Sequence, residues 1–182
     1  MPDMTDQPPR YTYPPTLSTL AIPPATLFSR NSHLATLAIG AYIFTPSSPP
    51  QLLLLRRSPT DSFPNRWEVP GGGTEPSDAT LLDTVVREVR EETGLSVVAI
   101  TAELGWVEFV GRRGRGRKYD FVVEVGEGEV KTNPEEHTAW RRCGIEEVGG
   151  LEITTEGHRE AVRRAFERIQ AIRGGDGAGV GG

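Results

Sequence analysis

Cysteine is almost absent: Cys143 is the single one in 182 residues. No disulfide can close within the chain, and a reducing compartment is the expected setting. Long apolar runs are missing as well. The longest, "LATLAIGAYIF", is too short for a bilayer and is interrupted by Thr and Gly. Near the start stand Asp3 and Asp6 with no apolar signal core, which argues against secretion. There is no excess of positive charge either. A formal net charge of −5 counts against general nucleic-acid binding, although it does not exclude a local basic patch. These absences together predict a soluble cytoplasmic protein without a membrane partner.

Proline and glycine are plentiful, and their placement suggests the domain limits. Residues 1–31 are rich in Pro and Thr without helical or strand period. They are expected to form a partly disordered, polyproline-like extension with an anchoring segment near the domain. Residues 174–182, "GGDGAGVGG", are expected to be a loose tail. One domain, residues 32–173, remains.

Within that domain "HLATLAIGAYIFTP" and "QLLLLRRS" read as strands parted by "SSPP". "RWEVPGGG" reads as a short strand stopped by Pro70 and released into a glycine loop. A helix is predicted from about Ala79 to Thr93, ended by Gly94. Asp78 is well placed to be its N-cap. "LSVVAITAELGWVEFVG" and "KYDFVVEV" read as strands joined by the basic stretch "GRRGRGR", and "TAWRRC" as one more. A last amphipathic helix carries Ala161, Val162, Ala165, Phe166 and Ile169 on one side.

The first helix carries the chemistry. Leu82, Val85, Val86 and Val89 make one apolar stripe, and Glu88, Glu91 and Glu92 cluster beside it. Like charges at this spacing repel by about a few tenths of a kcal/mol per pair on an exposed helix, and more where water is excluded. A hard divalent cation reverses that sign, because it takes several carboxylate oxygens as ligands. The ordinary alternative is a solvated face paired with arginine, and Arg87 with Glu91 has the spacing of such a pair.

The segment from Gly73 to Leu95 resembles the signature of Nudix hydrolases, a loop–helix–loop motif written G-x5-E-x7-R-E-U-x-E-E-x-G-U, with U a bulky aliphatic. Arg87-Glu88-Val89-Arg90-Glu91-Glu92-Thr93-Gly94-Leu95 fills every later position. The first glutamate of the motif is replaced by Ala79, with Asp78 one residue earlier. The resemblance implies an α/β fold, a three-layer α/β/α sandwich with a mixed β-sheet. It also implies a hydrolase that cleaves the pyrophosphate of a nucleoside diphosphate linked to another group. Mg²⁺ or Mn²⁺ would be held by Glu88, Glu91, Glu92 and the carbonyl of Gly72, with Arg87 orienting the glutamates. The departure at Ala79 keeps a second function open, a catalytically weak domain that binds a nucleotide or a protein partner.

Outside the motif, Glu136 resembles the downstream acid that serves many members as ligand or base, with Glu135 as the alternative and His137 as an orienting residue. Arg57, Arg66 and Arg112 are candidates for substrate phosphates or for surface charge. Trp67 is expected in the core, and at least one of Trp106 and Phe109 is expected to face inward. Arg112, Arg113, Arg115, Arg117 and Lys118 form either an electrostatic rim for a polyanion or RNA end, or a flexible solvated hairpin. Gly111 stands where a proline would suggest ADP-ribose. Nucleoside triphosphates, dinucleoside polyphosphates, nucleotide sugars and inositol pyrophosphates all stay open as substrates.

Overall fold

A computed structural model describes residues 11–175. The loose tail expected over 174–182 lies almost wholly outside them, as do residues 1–10 of the extension. Residues 11–31 are not a disordered spacer. They form a short 3-10 turn at Pro15–Leu17 and helix α1, Pro24–Arg30. Tyr11, Leu17, Leu20 and Leu27 are buried in the main core, and Thr12 bridges to Ala99 in parallel. Proline suits this arrangement, since it opens both helical turns at positions that need no N–H donor.

The strands are β1 (Thr36–Ile43), β2 (Leu52–Arg57), β3 (Trp67–Glu68), β4 (Val97–Gly111), β5 (Gly114–Val125) and β6 (His137–Cys143). They build two three-stranded sheets. In the first, β5 lies between β1, which it pairs in parallel, and β4, which it pairs antiparallel, so that sheet is mixed. In the second, β2 lies antiparallel between β3 and β6. Helix α2 (Leu81–Thr93) covers one face, the short α3 is Ile145–Val148, and α4 (Glu156–Gly175) covers the opposite face. The result is the α/β/α sandwich expected.

The apolar period of α2 works as read: Leu81, Leu82, Val85 and Val89 are fully buried against β1, β4 and β5. Its start differs. Thr80, not Asp78, is the N-cap, its Oγ1 accepting the Asp83 N–H at 3.2 Å while its hydroxyl donates to Asp83 Oδ2 at 2.7 Å. Tyr11 Oη donates to the other Asp83 oxygen at 3.0 Å, tying the N-terminal segment to the helix start. Gly94 ends α2 in the left-handed region at φ 71°, where its N–H donates to the Arg90 carbonyl.

The basic stretch is mostly strand. Only Arg112 and Arg113 lie in the turn between β4 and β5, so the hairpin is not a loose loop. Arg115 and Arg117 donate to Glu108 at 3.3 and 2.8 Å, and Arg117 lies over the Trp106 ring, 4.0 Å from its centroid. Neither Trp106 nor Phe109 faces inward. They are 50% and 38% exposed, because the outer half of β4 runs past the helices. Trp67 does pack on the second core, partly buried. Among the described residues no helix is long and apolar enough to cross a membrane.

Candidate metal centre

The glycine loop between β3 and α2 is held by the free edge of β1. Ala41 and Ile39 donate their N–H groups to the carbonyls of Pro70 and Gly72 at 2.8 and 2.9 Å, and Thr74 donates to Leu37 at 3.0 Å. Contact is so close that a side chain at Gly71 would stand 2.2 Å from the Ile39 carbonyl oxygen. At Gly72 it would stand 2.4 Å from Glu88 Oε1. Glycine is therefore required at both places, once by the strand and once by the carboxylate. Because the Gly72 oxygen already accepts from Ile39, it retains one lone pair for any further ligand.

Glu92 is the most buried acid of the helix. Its Oε2 accepts the Gly71 N–H at 2.7 Å. Burial pushes its carboxyl up to about 9, against the pull of that hydrogen bond, and the neighbouring Glu88, Glu68 and Glu136 push it further up. Glu88 is raised too, by burial first, with the Arg87 guanidinium opposing.

From the other side comes the start of β6. Ser58 donates its N–H to the Glu136 carbonyl at 2.7 Å, and Glu136 and His137 N–H groups both donate to the Asn133 carbonyl. This sets Glu136 and His137 facing α2. One ligand atom each of Glu92, Glu136 and His137 lie within 4.8 Å of one another. His137 Nδ1 is buried without a hydrogen-bond partner, 3.9 Å from Glu92 Oε1. Its Nε2 meets Glu68 Oε1 at 3.1 Å, and Arg57 Nη1 donates to that same oxygen at 2.5 Å.

Crowded carboxylates beside the glycine loop fit a hard divalent cation, which takes their oxygens as ligands and removes the repulsion. Glu92 and Glu136 are thus brought together; Glu88 is near enough to raise the Glu92 carboxyl but stands outside the three residues whose ligand atoms lie within 4.8 Å of one another. Glu91 stands at its margin, with its side chain 55% exposed and accepting from Arg87 Nη1 at 3.1 Å. Glu135 is not part of the cluster of Glu92, Glu136 and His137.

Arg87 is the hub of the loop–helix junction. Its Nε and Nη2 donate to the two oxygens of Asp78 at 2.9 and 3.0 Å, its Nη1 to Glu88 at 2.9 Å, and its Nη2 to the Gly73 carbonyl at 2.8 Å. Asp78 also accepts from the Thr84 hydroxyl and the Glu75 N–H. Burial alone would raise the Asp78 carboxyl, but these donors, Arg87 foremost, hold it below the usual range.

The other arginines divide. Arg57 is committed to Glu68, Asp61 and Ser62, and Arg66 donates to the Ile153 carbonyl at 3.2 Å. Arg112, at the hairpin turn, lines the mouth of a cavity of about 1250 Å³ that also touches Glu68, Gly71 and Gly72. Glu68 and the buried Asp120 on that cavity were not among the candidates. Strand alternation opposite Trp67 marks the first, and a lone acid inside the apolar run "YDFVVEV" marks the second.

A loop–helix segment rich in carboxylates thus packs against an α/β/α sandwich. The sequence family described as NUDIX domain matches residues 35–165, and the chain belongs to that family. It is 47% identical over 60 residues to "m7GpppN-mRNA hydrolase NUDT17" of Danio rerio, a stretch that covers 32% of this chain and 20% of that protein. With "RNA pyrophosphohydrolase" of Agrobacterium fabrum it shares 30% over 88 residues, 41% of this chain and 51% of the relative. The chain thus spans well under two thirds of either relative. The crystal structure of a MutT protein from Methanosarcina mazei Go1 superposes with a TM-score of 0.59 at 29% identity, covering 74% of this chain and 94% of that one.

Proposed function

We propose that the protein hydrolyses the pyrophosphate linkage of a nucleoside diphosphate derivative, with Mg²⁺ or Mn²⁺ as cofactor. The convergence of Glu92, Glu136 and the orphaned His137 nitrogen beside the glycine loop carries this reading. Glu88 and Glu92, with Glu91 at the margin and the Gly72 carbonyl, would hold the cation. Bound there, it would neutralise the diphosphate and acidify an attacking water. The carboxylate of Glu136, facing α2 from the β6 side, would accept a proton from the attacking water. Arg87 acts as a positioning residue: tied to Asp78 and Gly73, it holds Glu88 and Glu91 without reaching substrate. Arg57 does the same for Glu68 and, through it, for His137. Arg112, at the cavity mouth, is left to meet the anionic substrate.

Two matched relatives are named for the ends of RNA, so capped and triphosphorylated RNA belong on the substrate panel. Nucleoside triphosphates, dinucleoside polyphosphates, nucleotide sugars and inositol pyrophosphates complete it. Incubation with each compound, with Mg²⁺, Mn²⁺ or a chelator, followed by separation of the products, tests the reading. Expected is cation-dependent release of a nucleoside phosphate from at least one compound. No turnover anywhere on the panel, with tight binding that ignores the chelator, would assign the domain to ligand binding instead.

A further inference from the structure

Among the described residues, four buried side-chain polar atoms away from the acid cluster have no hydrogen-bond partner; besides Arg117 Nε they are Asp120 Oδ1, His158 Nε2 and Tyr42 Oη. Asp120 is 2% exposed and His158 8%. They come from three elements, β5, α4 and β1, and meet because β1 and β5 pair in parallel with Gly40 opposite Asp120. A side chain at Gly40 would stand 2.4 Å from Asp120 Oδ1, so glycine there gives the carboxylate its space. Lys118, on the same face of β5, places Nζ 3.7 Å from that oxygen, too far for a hydrogen bond. His158 Nδ1 lies 2.8 Å from Thr154 Oγ1, and its ring stands edge-on to Tyr42.

Buried polar atoms are nearly always paired, because an unpaired one forfeits its hydration with no return. Here two of the three belong to side chains that line the same cavity as Glu68, Gly71 and Gly72. Burial raises the Asp120 carboxyl while Lys118 and Arg164 oppose it, and burial holds His158 neutral. The apolar walls include Phe109 and Val107, both partly exposed toward the opening. A cavity that borders the glycine loop and Glu68, with apolar walls and a floor of Asp120, His158 and Lys118, suits a planar ring attached to phosphate.

We propose that this floor reads the edge of a nucleobase, with Asp120 accepting a ring N–H while Lys118 donates to the adjacent carbonyl. The floor offers a donor at Lys118 and one carboxylate acceptor at Asp120. Bases with neighbouring N–H and C=O groups, guanine and uracil, satisfy it better than adenine or cytosine, whose corresponding ring nitrogen accepts instead of donating. The assignment rests on the acid cluster being the phosphate end of the site.

Equilibrium binding of GMP, UMP, AMP, CMP and ribose 5-phosphate, in the presence of Mg²⁺, tests it without any turnover. The wild-type chain should bind GMP and UMP about tenfold more tightly than AMP, CMP and ribose 5-phosphate. Asp120→Asn keeps the shape but loses the charge, and its amide can turn to donate to the ring acceptor of AMP or CMP as well as accept from GMP or UMP, so it should abolish that preference with ribose 5-phosphate binding unchanged. Lys118→Met provides a second variant should the first fail to fold, and it too should lose the preference. Equal wild-type affinity for GMP and ribose 5-phosphate would mean that water fills the floor, and would overturn the proposal. Preference retained in a folded variant would overturn it as well. A base preference that Asp120→Asn removes, in a protein that hydrolyses nothing on the diphosphate panel, would remove the hydrolase reading and leave this one standing.

Discussion

Asp78 and Arg87 form a two-point ion pair, Nε to Oδ1 at 2.9 Å and Nη2 to Oδ2 at 3.0 Å, that clamps the glycine loop to α2. The carboxylate is nearly buried and the guanidinium also holds the Gly73 carbonyl, Glu88 and Glu91. Ala79, where the family motif has glutamate, is exposed. A carboxylate one residue earlier therefore anchors Arg87, and the departure at Ala79 does not leave the arginine free.

Asp78→Asn should destabilise the fold by about 1.5–3 kcal/mol, since it removes the charge from the two-point contact while Glu88, Glu91 and the Gly73 carbonyl still hold the guanidinium. Turnover should fall with it, because Glu88 and Glu91 lose a fixed partner. Ala79→Glu should change turnover by no more than about twofold, as expected of an exposed site. A large gain from Ala79→Glu, with Asp78→Asn harmless, would show that Asp78 does not carry this role.

The metal-free protein should lose stability as pH rises. Glu92 is held up to about 9 when folded, against an ordinary value of 4.5. Between those two values the folded state binds the proton and the unfolded state has released it. The unfolded chain then holds fewer protons, so stability falls with increasing pH across that window. Glu92→Gln removes the titration. Denaturant midpoints of wild type and Glu92→Gln without metal should draw apart from pH 5 to pH 8, in favour of the variant. Adding Mg²⁺ or Mn²⁺ should stabilise the wild type by binding the folded state alone. Parallel pH profiles would mean that Glu92 is not buried as an acid.

Much of this was legible because it follows from period. The buried Leu82, Val85 and Val89 stripe, the Gly94 stop and the face of α4 are local patterns that tertiary contacts only confirm. What escaped depends on partners distant in sequence. Asp78 sits where an N-cap belongs, yet Arg87 draws it away and Thr80 caps instead. Trp106 and Phe109 alternate as inward residues do, but no sequence rule tells where a long hairpin outruns its helices. Glu68 joins the site, as the partner of His137, through pairing of β2 with β3 and β6, which bridges stretches far apart in the chain. Proline content masked the N-terminal segment, whose buried leucines have no regular spacing.

That segment should matter for stability. Leu17 is 2% exposed within the main core, so Leu17→Ala should cost about 2–5 kcal/mol. Tyr11→Phe, which removes only the hydroxyl bond to Asp83, should cost about 0.5–1.5 kcal/mol. Chemical denaturation of the full chain measures both. An unchanged midpoint for Leu17→Ala would place the segment off the domain.

The base offers the sharpest test of the site. Glu136 reaches the cluster from the β6 side, opposite α2, with a carboxylate oxygen within 4.8 Å of ligand atoms of Glu92 and His137. Its backbone is fixed by the Ser58 and Asn133 contacts, so the side chain works from a rigid base. Glu136→Gln keeps shape and one acceptor oxygen but cannot take a proton. Turnover should drop by about 10²–10⁴ with little change in KM. Glu135→Gln, one residue away and outside the cluster, is the control and should retain its rate. If Glu135→Gln or Glu91→Gln loses turnover while Glu136→Gln keeps it, proton transfer runs through the other side of the cluster. The pairing of Glu136 with His137 would then serve only to complete the cation site.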